Sequence, residues 1–128
     1  MEYIHGIFPN SKFIYMVRDG RAVAYSYMLQ VREKMNAIKY RSYLRTWHSF
    51  NIKAMNDCKK LGDEYCLKIR YEDLVLHPEK TLKKVVKFLK IKWTSELLNH
   101  HNHIGKKISV SKSEWSTHQI VYSIVIII

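Results

Sequence analysis

Lys12-Phe13-Ile14-Tyr15-Met16-Val17-Arg18-Asp19-Gly20-Arg21 is the stretch that decides how this chain is read. Its apolar, aromatic-rich run is introduced by Phe8-Pro9-Asn10-Ser11 and stopped by Asp19-Gly20, which is the pattern of a buried strand feeding a loop. Asp19 is a good helix N-cap. The residues from Arg21 to about Arg32 include Ala, Met, Leu and Gln with no breaker, so a helix is expected there. Strand, charged loop and helix form the first unit.

The next segments repeat that alternation. From about Ala37 to Lys60 a second helix places Tyr40, Leu44, Trp47, Ala54 and Cys58 near one face, and Gly62 ends it. Glu64 to Tyr71 alternates, with Tyr65, Leu67, Ile69 and Tyr71 against Cys66, Lys68 and Arg70, and this predicts a second strand. His77-Pro78-Glu79 opens a third helix whose Leu82, Val85, Val86 and Leu89 share a face, with Lys80, Lys83, Lys84, Lys87 and Lys90 on the rest. Strands alternating with helices give an α/β fold with parallel pairing. Two strands do not make a stable parallel sheet covered on both faces, so further sheet partners are expected from outside these residues.

Composition bounds the function. The chain has 128 residues with 47% hydrophobic, which is enough for one domain with a core and excludes low-complexity classes. Its 22 Lys+Arg against 11 Asp+Glu give a net charge of +11, which suits a nucleic acid, an anionic membrane, or a phosphorylated or acidic substrate. No run is long and apolar enough to span a membrane, and the start Met1-Glu2-Tyr3-Ile4-His5 has no signal-peptide pattern. Cys58 and Cys66 make no small secreted disulfide scaffold and lack zinc-site spacing. His100-His101-Asn102-His103 has no Cys or carboxylate partner at ligand spacing and reads as a solvated loop, so no metal is expected.

Beyond Trp93 the pattern loosens. Ile108 to Thr117 is rich in hydroxyls and Lys, which suits a loop folding over an anion. Ile120 to Ile128 then turns almost wholly apolar. It reads as an aberrant end and an aggregation hazard if exposed, with a buried strand as the alternative.

Arg18 at a strand end, followed by a turn, a helix start and the Ser26 hydroxyl, is a candidate oxyanion site, because open α/β sheets bind ligands at the carboxyl ends of strands. Tyr71 stands at the matching end of the second strand. The competing reading is that Arg18 and Asp19 pair with each other or with a neighbour. There is no Gly-x-x-x-x-Gly-Lys-Ser/Thr loop and no Gly-x-Gly-x-x-Gly, so a self-contained nucleotide site is not encoded.

Several blocks taken together resemble the protein-tyrosine sulfotransferases. They are Phe8 to Ile14, Met16-Val17-Arg18-Asp19-Gly20-Arg21-Ala22, Tyr71-Glu72-Asp73-Leu74-Val75-Leu76-His77-Pro78, and Ser109-Val110-Ser111-Lys112 with Ser116-Thr117-x-Gln119. The resemblance runs from about Phe8 to Ile120. It implies a partial P-loop-like sulfotransferase fold, a parallel sheet flanked by helices. The implied reaction is transfer of sulfate from 3′-phosphoadenosine 5′-phosphosulfate to tyrosines of secreted and membrane proteins in the Golgi lumen, with acidic tyrosine-containing proteins as partners and no nucleic acid. Arg18 and Ser26 match the family's 3′-phosphate clamp, and Tyr71 matches a further nucleotide contact. Ser116 matches the residue that steadies the transferring sulfuryl group, and Thr117 and Gln119 continue the cofactor-binding stretch. Cys58 and Cys66 resemble a family disulfide pair; two reduced core cysteines remain the alternative, and a lumenal address favours the bond.

The departures from the family are also specific. Its 5′-phosphosulfate loop, catalytic Glu, transition-state Lys and membrane anchor precede the block that begins here near Phe8. Gln30 stands where the family has another 3′-phosphate Arg, and Val121 to Ile128 replace the family's continuation. The expectation is the central to C-terminal part of a sulfotransferase domain over residues 1–120, truncated at both ends, inactive alone, and followed by an apolar tail over 121–128. Two other readings remain: a non-enzymatic basic nucleic-acid-binding module, which lacks any recognised motif, and a fragment of a cytosolic sulfotransferase or nucleotide kinase. Substrate identity and dimerisation lie beyond the sequence.

Overall fold

The computed structural model describes residues 1–31, 34, 36–99 and 123–127. Strand β1 (Phe13–Val17) forms where expected, with Phe13 and Tyr15 fully enclosed. Helix α1 (Glu2–Ile7) precedes it and lies against helix α3 (Ala37–Leu61), with Glu2 Oε1 3.0 Å from Lys60 Nζ. Helix α2 (Gly20–Gln30) follows β1, and the Asp19 carboxylate caps it by accepting from the Arg21 N–H.

The cap of α3 is Asn36, whose side chain accepts from the N–H groups of Ile38 and Lys39. Its end is set by Gly62, which adopts φ 78°, a region open to glycine and costly for other residues. Along α3 the half-buried Tyr40, Leu44, Trp47 and Cys58 and the buried Ala54 share the inward face, as the periodicity predicts. Asn51 shares that face too, buried: Tyr15 Oη donates to Asn51 Oδ1, and Asn51 Nδ2 donates to the Trp47 carbonyl at 2.6 Å. These bonds satisfy polar groups that would otherwise be costly to enclose.

Strand β2 (Cys66–Arg70) lies parallel to β1, pairing Phe13 with Cys66 and Val17 with Arg70. The strand stops one residue earlier than the alternation suggests. Tyr71 opens helix α4 (Tyr71–Leu76), favoured by Glu72 and Asp73 in its first turn. Helix α5 (Pro78–Leu89) follows with Pro at its first position, and a 3-10 turn spans Ser95–Leu98.

Phe13, Tyr15, Ala54 and Cys66 form the core between the sheet and α3. Residues of the other parity, Ile14 and Ile69, are also buried, and α5 packs against β2. On β2 Cys66 is buried on one face and Ile69 on the other, while Lys68 and Arg70 are exposed.

The sheet differs from an all-parallel one. Strand β3 (Ser123–Ile127) comes from the apolar tail and pairs antiparallel with β1, giving the order β2-β1-β3. One of the missing sheet partners is thus supplied by the chain itself, through the segment whose alternative reading was a buried strand.

The β1 to α2 junction is tightly fitted. A Cβ placed on Gly20 would lie 2.7 Å from the Trp47 ring. Gly20→Ala is therefore expected to destabilise the fold by about 1–3 kcal/mol, because overpacking outweighs the ~0.4–1 kcal/mol that alanine gains through the unfolded chain. Chemical denaturation reads this directly, and a variant as stable as the parent would refute the close fit.

Candidate anion site at the strand ends

The parallel register places Arg18 and Tyr71 side by side, because each immediately follows the Val17 and Arg70 pair. Strand extension therefore brings together two residues 53 positions apart. The Arg18 guanidinium carbon stands 4.8 Å from the centre of the Tyr71 ring, a cation–π contact that holds the guanidinium plane in place. Arg18 is half-buried, and Tyr71 is 38% exposed, so the pair remains open to solvent.

Among the described residues no carboxylate pairs with Arg18. The neighbouring charge is already committed elsewhere. Asp19 takes Arg21 in a forked ion pair, with Nη2 to Oδ2 at 2.7 Å and Nε to Oδ1 at 3.1 Å. These side-chain hydrogen bonds, helped by the Arg21 backbone N–H, hold the Asp19 carboxyl at about 2. Arg21 is raised in return by the same hydrogen bond. Asp19 is thus ionised across the physiological range and largely neutralised by Arg21. Pairing of Asp19 does occur, but with Arg21, which leaves the Arg18 fork for an external anion.

Glu72 was not singled out as a site residue from sequence. Its Oε1 accepts the Asp19 N–H at 2.8 Å, and its Oε2 lies 3.8 Å from Arg70 Nε. One carboxylate therefore ties the loop after β1 to the corner after β2 and fixes the backbone on either side of the Arg18 and Tyr71 pair. No local pattern signals this role, because the contact joins two loops 53 positions apart.

Ser26 lies exposed in the second turn of α2, and Gln30 is the last residue of that helix. Ser116, Thr117, Gln119 and the histidine cluster lie outside the described residues. Cys58 and Cys66 form a disulfide with Cα atoms 5.2 Å apart, joining α3 to the start of β2. No described helix is long and apolar enough to cross a membrane.

A broad open groove of about 1190 Å³ lies elsewhere, lined by Leu74, Val75, Leu82, Leu97 and Leu98 among others. It contains neither Arg18 nor Tyr71, and its walls combine these apolar side chains with His77, Glu79, Lys80 and Lys83, so it is separate from the strand-end site.

A cationic fork and an aromatic plane at the carboxyl ends of adjacent parallel strands give an α/β protein whose strand ends have the geometry to take an anion. Residues 1–95 match the profile of the Sulfotransferase family, and the chain belongs to that family. It is similar to protein-tyrosine sulfotransferase A of Caenorhabditis elegans, 36% identical over 121 residues, covering 93% of this chain and 32% of that protein. It is also similar to protein-tyrosine sulfotransferase 2 of Gallus gallus, 40% identical over 124 residues, covering 93% and 33%. Protein-tyrosine sulfotransferase 1 of Homo sapiens is 38% identical over 126 residues, covering 94% and 34%. The chain spans about a third of the length of these curated relatives. The nucleic-acid-binding alternative finds no support in these comparisons.

Proposed function

We propose that this chain is the nucleotide-holding portion of a protein-tyrosine sulfotransferase, acting in the Golgi lumen with 3′-phosphoadenosine 5′-phosphosulfate as sulfate donor. The observation that carries the reading is the Arg18 guanidinium, stacked on Tyr71 at the strand ends and without a carboxylate partner among the described residues. A planar fork with several N–H donors matches the oxygens of a phosphate, and the stacking lowers the cost of ordering it. The names of the relatives favour tyrosine as acceptor.

Within this reading Arg18 and Ser26 hold the 3′-phosphate, and Tyr71 contributes its ring and hydroxyl to the same nucleotide. Thr117 and Gln119 extend the binding stretch. Ser116 donates to a nonbridging oxygen of the sulfuryl group, where charge builds during transfer. The donor supplies the activated sulfuryl group. A base must take the phenol proton, since a neutral tyrosine with a pKa near ~10 is a poor nucleophile, and no residue of this chain is assigned that role. The +11 charge suits both a doubly anionic nucleotide and acidic segments around the target tyrosine.

Titration calorimetry with adenosine 3′,5′-bisphosphate tests the nucleotide site. The isolated 128 residues are expected to bind it weakly and to show no sulfation of an acidic tyrosine peptide. Absence of heat at high micromolar nucleotide would sink the binding assignment. Turnover by the purified chain would overturn the view that it holds only part of the catalytic machinery.

A further inference from the structure

Helix α5 turns two kinds of surface outward and inward. Thr81 and Val86 are buried against the fold, while Lys80, Lys84 and Lys87 stand exposed in one row along the opposite side. Among the described residues none of these three lysines makes an ion pair. Lys83 beside them is held otherwise: its Nζ lies 2.6 Å from Glu79 Oε1 and 5.4 Å from the centre of the Trp93 ring. The Glu79 charge is thereby matched, and the row stays positive. At its Lys80 end the row meets apolar surface. α4, the first half of α5 and the 3-10 turn bound the open groove, whose walls set Leu74, Val75, Leu97 and Leu98 beside His77 and Lys80. Its volume of about 1190 Å³ exceeds the ~300–1,000 Å³ usual for a small-molecule cleft. Val75 is 58% exposed, the adjacent Leu76 70% and Leu97 38%, so aliphatic side chains stand in solvent at its edge. An exposed apolar patch rimmed by charge marks a contact surface.

We propose that this groove and the row of Lys80, Lys84 and Lys87 together form a docking surface for an extended, acidic protein segment that also carries aliphatic side chains. Each half of the surface selects the occupant. With a helical rise of about 1.5 Å per residue, the lysines of the row are rooted ~4.5–6 Å apart along the axis. Side chains on one side of an extended peptide repeat every ~6.6 Å, and the long lysine stems span the difference, so alternate carboxylates can meet successive ammonium groups. The apolar walls call for aliphatic side chains, which a polysaccharide, a nucleic acid and a lipid headgroup lack; a protein segment supplies both chemistries. The surface shares no residue with the Arg18 and Tyr71 pair and does not depend on the nucleotide assignment.

Fluorescence anisotropy on the full chain at physiological ionic strength tests it. The probe is a short dye-labelled peptide of glutamate and leucine, free of tyrosine so that it cannot report an acceptor site. It is expected to bind more tightly than a polyglutamate peptide of the same charge. Lys80→Ser with Lys84→Ser should weaken its binding about five- to tenfold, the loss of two exposed charge pairs. Leu97→Ser should weaken it about threefold by removing part of the apolar wall. Lys53→Ser with Lys59→Ser takes the same charge from exposed positions on α3 and should change binding by less than about twofold, since salt screens distant charges.

Adenosine 3′,5′-bisphosphate should bind the Lys80 and Lys84 variant as it binds the parent. If no protein binds the nucleotide while the peptide contrast holds, the nucleotide reading fails and the docking surface stands. The four substituted lysines are exposed, so circular dichroism should match the parent; should Leu97→Ser fail to fold, the lysine pair decides. Equal losses in the α5 and α3 lysine variants would show attraction to net charge alone and overturn the surface, as would polyglutamate binding as tightly as the mixed peptide. A heparin fragment whose binding alone responds to the lysine pair would assign the row to a sulfated polysaccharide instead. A parent chain that leaves the mixed peptide unbound would also overturn the proposal.

Discussion

Arg18→Ala is expected to weaken binding of adenosine 3′,5′-bisphosphate by about ten- to a hundredfold, the consequence of losing ~1.5–3 kcal/mol of charge-assisted hydrogen bonding to a phosphate. The neighbours of Arg18 make the expectation sharp. Arg21 cannot substitute, because its fork is spent on Asp19 at 2.7 Å, and Glu72 is turned to the Asp19 N–H and to Arg70. Arg18→Lys should fall between parent and alanine, since it keeps the charge but loses the planar fork and its stacking on Tyr71. Tyr71→Phe keeps the ring under the guanidinium, so any loss it shows reports the hydroxyl alone. The measurement is the dissociation constant by calorimetry, with circular dichroism confirming that each variant is folded. An Arg18→Ala protein that binds like the parent would remove Arg18 from the site.

Why the strand ends could be read in advance, while the brace beside them could not, follows from how each feature is encoded. Phe13 to Val17 is a local apolar run with charged limits, and Asp19 caps within two residues, so β1 and the start of α2 need only neighbouring sequence. The meeting of Arg18 with Tyr71 was accessible too, because parallel strands present their carboxyl ends together. Glu72 reaching the Asp19 N–H depends on a side chain crossing between loops 53 positions apart, and composition carries no trace of that.

Asn51 was hidden for a related reason. An asparagine inside a helix reads as a neutral or exposed position, and only its bonds to Tyr15 and Trp47 explain its burial. α1 and α4 span six residues each, too short for a periodic pattern to show. β3 was visible as composition but not as topology. Its antiparallel place on β1 results from an open edge elsewhere in the chain, a long-range contact that no local signal specifies.

Reduction of the Cys58 and Cys66 bond is expected to cost about 2–3 kcal/mol, from the chain entropy that a short closed loop removes from the unfolded state. The bond spans eight positions and encloses the whole turn between α3 and β2, including the left-handed Gly62. Its location concentrates the effect: Cys66 belongs to the core with Phe13, Tyr15 and Ala54, and it opens the strand that ends at Arg70, next to Tyr71. Loosening the turn thus frees β2 to shift along β1 and blurs the register that sets Arg18 against Tyr71. The double variant Cys58→Ser with Cys66→Ser should therefore unfold at lower denaturant and bind adenosine 3′,5′-bisphosphate less well than the oxidised parent. A thiol titration on protein made with and without an oxidising step checks the premise, since these are the chain's two cysteines. Equal denaturation midpoints for oxidised and reduced protein would show that the bond is not a stabilising element. A shifted midpoint would make folding depend on an oxidising compartment, the condition that a lumenal sulfotransferase meets and a cytosolic one does not.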